Sequence, residues 1–209
     1  MENRDKRIYL VRHGQVHLPD LQQKYYLGQT DVPLTERGIR QAVWLQQFFA
    51  ELPQRQQITA IYHSPLQRCA ETARQIAGGR WPTIATPDLQ EIGIGQWEML
   101  SMEQIRMQQP EAYRLRGEHL DTFCPPDGES FAQCQQRSVA AFQQIVEQMV
   151  PGSAAVIVAH AGVNRCLLSW INGQPLKQLL SIPQPYGCVT TLTWQGQNWQ
   201  VRPLVHCPV

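Results

Sequence analysis

Ile8-Tyr9-Leu10-Val11 is a run of four apolar residues, and Arg12-His13-Gly14 follows it directly. A short apolar run of strand formers behind a charged segment reads as a buried strand. The arrangement recurs twice: Ile58 to Tyr62 leads into His63-Ser64, and Ala154 to Ala159 leads into His160-Ala161-Gly162. Helical stretches alternate with these strands. Alternation of this kind builds an α/β domain around a mainly parallel sheet, because parallel neighbours need a crossover between them. Ligands of such sheets bind beyond the carboxyl ends of the strands, where Arg12-His13, His63-Ser64 and His160 all fall.

The remaining elements follow from punctuation. Gln15 to Pro33 mixes Pro, Asp, Gly and Gln without a period and reads as a loop. Thr35 is placed to cap a helix running to about Leu52. Pro65 opens a second helix that continues from Leu66 to Ala77 and stops at Gly78-Gly79. A weak strand is expected from Thr83 to Thr86. Ser101 to Leu120 is broken by Pro110 into two short helices. A long amphipathic helix is expected from Glu129 to Met149, another from His160 to about Trp170, and a closing hairpin of Val189–Trp194 with Trp199–Val205. With no internal repeat or linker, the reading is one domain over 7–206.

Composition narrows the function classes. The chain has 209 residues, is 43% hydrophobic and carries a formal net charge of +1. No global field favours nucleic acid or an anionic membrane, so an anionic substrate needs locally gathered cations. No apolar run approaches the roughly 20 residues of a membrane span, and the polar start lacks a signal-peptide core. The expectation is a cytoplasmic protein with six free, mostly buried thiols at 69, 124, 134, 166, 188 and 207. No cysteine–histidine spacing or carboxylate cluster has metal-ligand form, so neither metal nor cofactor is implied.

Chemistry concentrates at the strand ends. Arginine, histidine and glycine in succession let an anion approach both imidazole and backbone. Arg68 lies in the first turn after Ser64-Pro65-Leu66-Gln67, where a helix N-terminus also favours anions. His17, His63, His119 and His206 read as structural or exposed, and Trp97 as core or pocket wall.

Taken together, these markers resemble the histidine phosphatase superfamily, in its phosphoglycerate-mutase-like branch. The resemblance rests on Leu10 to Gly14, Gly28-Gln29-Thr30-Asp31-Val32-Pro33-Leu34-Thr35-Glu36-Arg37-Gly38, Ser64 to Arg68, Glu91 with Gly95 to Glu98, Gly128-Glu129-Ser130 and Ala159 to Gly162. It implies a three-layer α/β/α sandwich. His13 matches the nucleophile, Arg12 and Arg68 the phosphate clamp, and His160 a second histidine expected to be cationic against phosphate. Glu91 matches the proton donor to the leaving oxygen and is expected to be partly buried; Glu98 is its near rival. Gln15, Gly28, Gln29 and Thr30 are candidate pocket residues, with loop packing as the alternative. Gln15-Val16 and Pro19 stand where many relatives carry Glu-Thr and an Asn.

Within the family, Tyr26 to Leu34 looks most like the alpha-ribazole phosphatases of cobalamin synthesis. The implied function is metal-independent hydrolysis of a small-molecule phosphate through a phosphohistidine, by a monomer or a homodimer. Two alternatives stand beside it: a phosphoglycerate mutase, and a binding protein that kept the fold without catalysis. Arg106, Arg114 and Arg116 sit in helix-like surroundings with no adjacent arginine pair, which argues against a mutase.

Overall fold

The computed structural model describes residues 5–20, 22–53 and 57–208. Its sheet has six strands: β1 (Lys6–Arg12), β2 (Gln57–His63), β3 (Thr83–Ala85), β4 (Ser153–Ala159), β5 (Val189–Trp194) and β6 (Trp199–Val201). They lie side by side in the order β3-β2-β4-β1-β5-β6. β3, β2, β4 and β1 are mutually parallel, and β5 and β6 add antiparallel strands at one edge. The mainly parallel α/β sheet is therefore present.

Alternation along the central strands explains the layers. Ile8 and Leu10 of β1 join Ala155 and Ile157 of β4 in one apolar cluster, while Tyr9 and Val11 join Val156 and Val158 in another. Successive side chains of a strand point to opposite faces, so continuous apolar runs bury both. Helices α1 (Glu36–Ala50) and α2 (Gln67–Ala77) cover the second face through Leu45, Phe49, Cys69 and Ile76. Helices α5 (Phe131–Gln148) and α6 (Ala161–Ile171) cover the first through Phe142, Ile145, Val163 and Leu167. The short α3 (Met102–Gln108) and α4 (Pro110–Glu118) split at Pro110 as the sequence predicts. No described helix is long and apolar enough to cross a membrane. The described cysteines are free thiols, with Cys124 exposed.

The second helix starts at Gln67, not at Pro65, and two further boundary differences have a local cause. α5 starts at Phe131, because Ser130 caps it: Ser130 Oγ accepts from the Gln133 amide, and Gln133 Oε1 accepts from the Ser130 amide. Glu129 is thereby left outside the helix. The last strand ends at Val201, and only an isolated bridge from Val205 to Val189 resumes the pairing. Pro203 has no N–H to donate, which accounts for the interruption.

Ser130→Ala removes one arm of this reciprocal cap. The expected cost is about 1 kcal/mol of folding stability, read as a lower denaturation midpoint with an unchanged slope.

Candidate active site

The three central strands β2, β4 and β1 deliver their carboxyl ends side by side. His13 is buried, and its backbone is held on both flanks: His13 N–H donates to the Ala159 carbonyl and Gly187 N–H donates to the His13 carbonyl. The ring is oriented as well. His13 Nδ1 lies 2.7 Å from the Gly14 carbonyl oxygen. A carbonyl only accepts, so Nδ1 carries the hydrogen and Nε2 keeps the lone pair. Gly14 is obligatory here, since a Cβ would meet the Gly38 carbonyl oxygen at 2.4 Å.

Arg68 is 1% exposed although it sits in the first turn of α2. It donates from Nη2 to the Gly28 carbonyl at 2.6 Å, from Nη1 to the Thr30 carbonyl at 2.8 Å and from Nε to His160 Nδ1 at 3.2 Å. One N–H on each terminal nitrogen remains for a ligand. Arg12 is half-buried, donates from Nη1 to the Gln184 carbonyl and lies 3.7 Å over the Tyr186 ring. Tyr186 also approaches the His13 ring, with centroids 5.6 Å apart.

His160 is fully buried, with its ring centroid 5.1 Å from that of His13. Because Arg68 Nε–H donates into Nδ1, the hydrogen of the neutral ring is on Nε2, which donates to Ser64 Oγ at 2.8 Å. This arrangement holds the His160 ring neutral. Burial, reinforced by Arg68 and His13, pushes His160 well below the ordinary imidazole range. Burial, then Arg12 and Arg68, does the same to His13.

Glu91 is buried, as expected, and its carboxylate docks on the N-terminus of α6. Oε2 accepts from the Gly162 amide at 3.0 Å, and Oε1 from the Val163 and Ile92 amides at 3.2 and 3.0 Å. The Gly162 and Val163 amides are unsatisfied helix donors that a carboxylate complements. The docking depends on Gly162, where a Cβ would lie 2.4 Å from Glu91 Oε1. Glu98 has a different place. It accepts from the amides of Gly28 and Gln29 and from the Thr30 hydroxyl at 3.1, 2.7 and 2.9 Å. It anchors the loop whose carbonyls grip Arg68.

Arg12, His13, Arg68, Glu91 and Gly162 meet in a cavity of about 210 Å³. The other sequence candidates stand behind its wall. Gln15 is tied to α1 through its amide and its Oε1, which take Gln41 Oε1 and Thr35 Oγ1 as partners. Gly28 and Thr30 work through their carbonyls on Arg68, and Gln29 Nε2 donates to the Glu91 carbonyl at 3.2 Å. His17, His119 and His206 are exposed, and Trp97 is core.

Among the cavity residues that the sequence reading did not place in a site are Arg116, Arg165 and Tyr186. Arg116 had a legible signal. Arg106 pairs with Glu103, and Arg114 with Glu111 and Glu118, all at helical spacing. Arg116 has no acid three or four residues away. It turns inward instead, 5.0 Å over the Tyr26 ring. Among the described residues, no group of three or more His, Cys, Asp or Glu side chains is arranged to hold a metal.

Two outcomes follow. In the unfolded chain each ring of the His13–His160 pair titrates near 6.5. Below that value, down to the lower folded value, the unfolded chain binds more protons. Folding stability therefore falls as pH drops through about 6.5, by at most about 1.4 kcal/mol per pH unit per ring, and these rings contribute no slope above it. Denaturant titrations between pH 7.5 and 5 measure the slope, and His160→Gln flattens it; an unchanged slope in that variant contradicts a buried neutral pair. Separately, Gly162→Ala must displace the Glu91 carboxylate. Turnover is expected to fall at least tenfold, on the scale of losing a positioned acid, while competitive inhibition by inorganic phosphate persists.

Comparison with known proteins places this geometry. The family model described as "Histidine phosphatase superfamily (branch 1)" matches residues 8–205. A curated relative, "Probable phosphoglycerate mutase GpmB" of Yersinia pestis, is 33% identical over 170 residues, covering 81% of this chain and 76% of its own. The solved structure of Bacillus stearothermophilus YhfR superposes with a TM-score of 0.83 at 32% identity, covering 94% of this chain and 95% of the other. A putative alpha-ribazole-5'-P phosphatase from Escherichia coli K-12 gives a TM-score of 0.84 at 26% identity, covering 95% of each chain. The chain belongs to the histidine phosphatase superfamily, branch 1.

Proposed function

We propose that the protein is a metal-independent phosphomonoesterase that passes the phosphoryl group of a small-molecule phosphate to His13 Nε2 and then to water. The observation that carries this reading is the fixed tautomer of His13. With Nδ1 held as the donor, Nε2 keeps its lone pair, and His13 lines the same cavity as Arg12 and Arg68. In the first step the N–P bond forms as the ester P–O bond breaks. The departing electron pair goes to the ester oxygen, which takes a proton from Glu91, a carboxyl group that enters this step protonated and leaves it as the carboxylate docked on α6. In the second step water attacks phosphorus, gives its proton to Glu91, and the P–N bond breaks. Arg12 and the free N–H groups of Arg68 bind the equatorial oxygens. The phosphoryl dianion brings negative charge near the paired rings, which favours a protonated His160 once substrate is bound.

Besides Arg116 and Arg165, the cavity lining includes the aromatic and apolar side chains of Tyr25, Tyr26, Ile94, Met102, Phe131 and Leu180. Such walls suit a leaving alcohol that carries a flat apolar body, and alpha-ribazole phosphate is the candidate substrate. The mutase alternative draws on one specific feature. Arg116, without an acidic partner at helical spacing, offers a cation to a substrate carboxylate at the cavity wall. Against a purely binding role stand the oriented lone pair and the docked Glu91.

The test is a set of ³²P-labelled esters. Alpha-ribazole phosphate, nitrophenyl phosphate and 3-phosphoglycerate are each reacted in single turnover with chelator present. Hydrolysis with transient labelling of the protein is expected, and His13→Ala lowers turnover by roughly 10³-fold or more. Label recovered in 2-phosphoglycerate favours the mutase. Folded His13→Ala at near-normal rate, or rescue of chelated enzyme by a divalent metal, refutes the mechanism.

A further inference from the structure

Gly128-Glu129-Ser130 is a sequence marker for which the chemistry above has no use. Ser130 caps α5 and Gly128 packs tightly, since a Cβ there would lie 2.7 Å from the Gly93 carbonyl oxygen. Glu129 exchanges two hydrogen bonds with Gly93: its amide donates to the Gly93 carbonyl, and Gly93 N–H donates to Glu129 Oε1, both at 2.8 Å. Gly93 lies two residues from Glu91.

Arg137 sits two turns into α5 and is aimed at the same loop. Its Nη1 donates to the carbonyls of Asp88 and Gln90 at 2.8 and 2.7 Å. Its Nη2 donates to the Glu91 carbonyl at 3.2 Å and to Glu129 Oε1 at 2.5 Å, and its Nε donates to Glu129 Oε2 at 3.1 Å. All five N–H groups of the guanidinium are thereby committed. Arg137 has nothing left for a ligand and does not line the catalytic cavity. The ion pair is mostly shielded, with side-chain exposures of 22% and 19%. That places it among pairs whose disruption is costly, because each leaves the other charge poorly solvated.

We propose that Arg137 and Glu129 are the positioning pair for Glu91, and that they act on its proton transfer and not on phosphate binding. The Glu91 side chain is fixed at its tip by the α6 amides. Its backbone is fixed from behind by one guanidinium that spans the carbonyls of Asp88, Gln90 and Glu91. A planar fork with five donors in a fixed array does this; an ammonium group cannot. Proton transfer falls steeply with misplacement, whereas the phosphoryl oxygens are held by groups on other elements.

The proposal rests on the reading of Glu91 as the acid, and its signature is the leaving group. Alkyl phosphates need a proton on the departing oxygen, and nitrophenyl phosphate does not. In single-turnover phosphorylation, Arg137→Lys and Glu129→Gln are expected to slow an alkyl ester at least ten times more than the aryl ester. Inhibition by inorganic phosphate stays within about twofold of wild type. The double variant Arg137→Lys with Glu91→Gln is expected to be no slower on the alkyl ester than Glu91→Gln alone, since effects acting through one group do not add. Equal slowing of both esters by Arg137→Lys, or additive effects in the double variant, overturns the proposal. If Glu91→Gln itself shows no leaving-group preference, the acid assignment fails. Amide exchange then decides the positioning claim alone: faster exchange at Ile92, Gly162 and Val163 in Arg137→Lys supports it, and unchanged exchange refutes it.

Discussion

A buried guanidinium whose hydrogen-bond partners are two carbonyls and an imidazole is the constraint around which this site is built. Arg68 is 1% exposed and forms no ion pair among the described residues. A charge withdrawn from water must be compensated by hydrogen bonds. Compensation comes from the Gly28 and Thr30 carbonyls, so the loop carrying them has to be rigid. Glu98 makes it so, and Gly28 must lack a Cβ, which would lie 2.4 Å from Glu98 Oε1. The loop continues to Asp31, whose carboxylate accepts from the Gln67 amide at the start of α2. The helix that carries Arg68 is thus tied to the loop that neutralises it.

That same charge sets the state of the imidazoles. Arg68 occupies Nδ1 of His160 and lowers the proton affinity of both rings, after burial itself. The arrangement favours neutral imidazoles and an anionic guest together. Glu91 completes the field from the opposite wall, where the α6 N-terminus receives its carboxylate. Charges and dipoles held in place before the substrate arrives need no reorganisation during the reaction, and this is the usual source of the largest rate effects.

The sequence was informative where one residue has one reason to be present. His13, Arg68 and His160 stand at strand or helix ends that local pattern locates, and their convergence follows from the parallel sheet. Thr35 and the split at Pro110 were equally local. What escaped was decided across the chain. Glu91 and Glu98 are both loop carboxylates in sequence, and only the docking of one on α6 and the other on residues 28–30 separates them. Gln15, Gly28, Gln29 and Thr30 were legible as important, but Gly28, Gln29 and Thr30 act on Arg68 and Glu91, and Gln15 is held by Gln41 and Thr35. Tyr186 gave no sign, because its value lies in a stacking contact with Arg12 from 174 positions earlier in the chain.

The strand order also explains why His13, the proposed nucleophile, follows β1 and not a neighbouring strand. β1 is the strand where the sheet changes from parallel to antiparallel pairing, flanked by β4 and β5. On the β4 side the ladder simply continues, and the His13 amide donates to the Ala159 carbonyl. On the β5 side the chain entering β5 arrives at the active end, so the segment before Val189 crosses directly over the site. That segment contributes the Gly187 amide to the His13 carbonyl, the Cys188 carbonyl to the Arg12 amide and the Gln184 carbonyl to the Arg12 guanidinium. A parallel neighbour would end there and start a crossover, with no requirement to pass over β1. The reversal of one strand therefore places a strap across Arg12 and His13 and fixes both from the side that the parallel ladder leaves open.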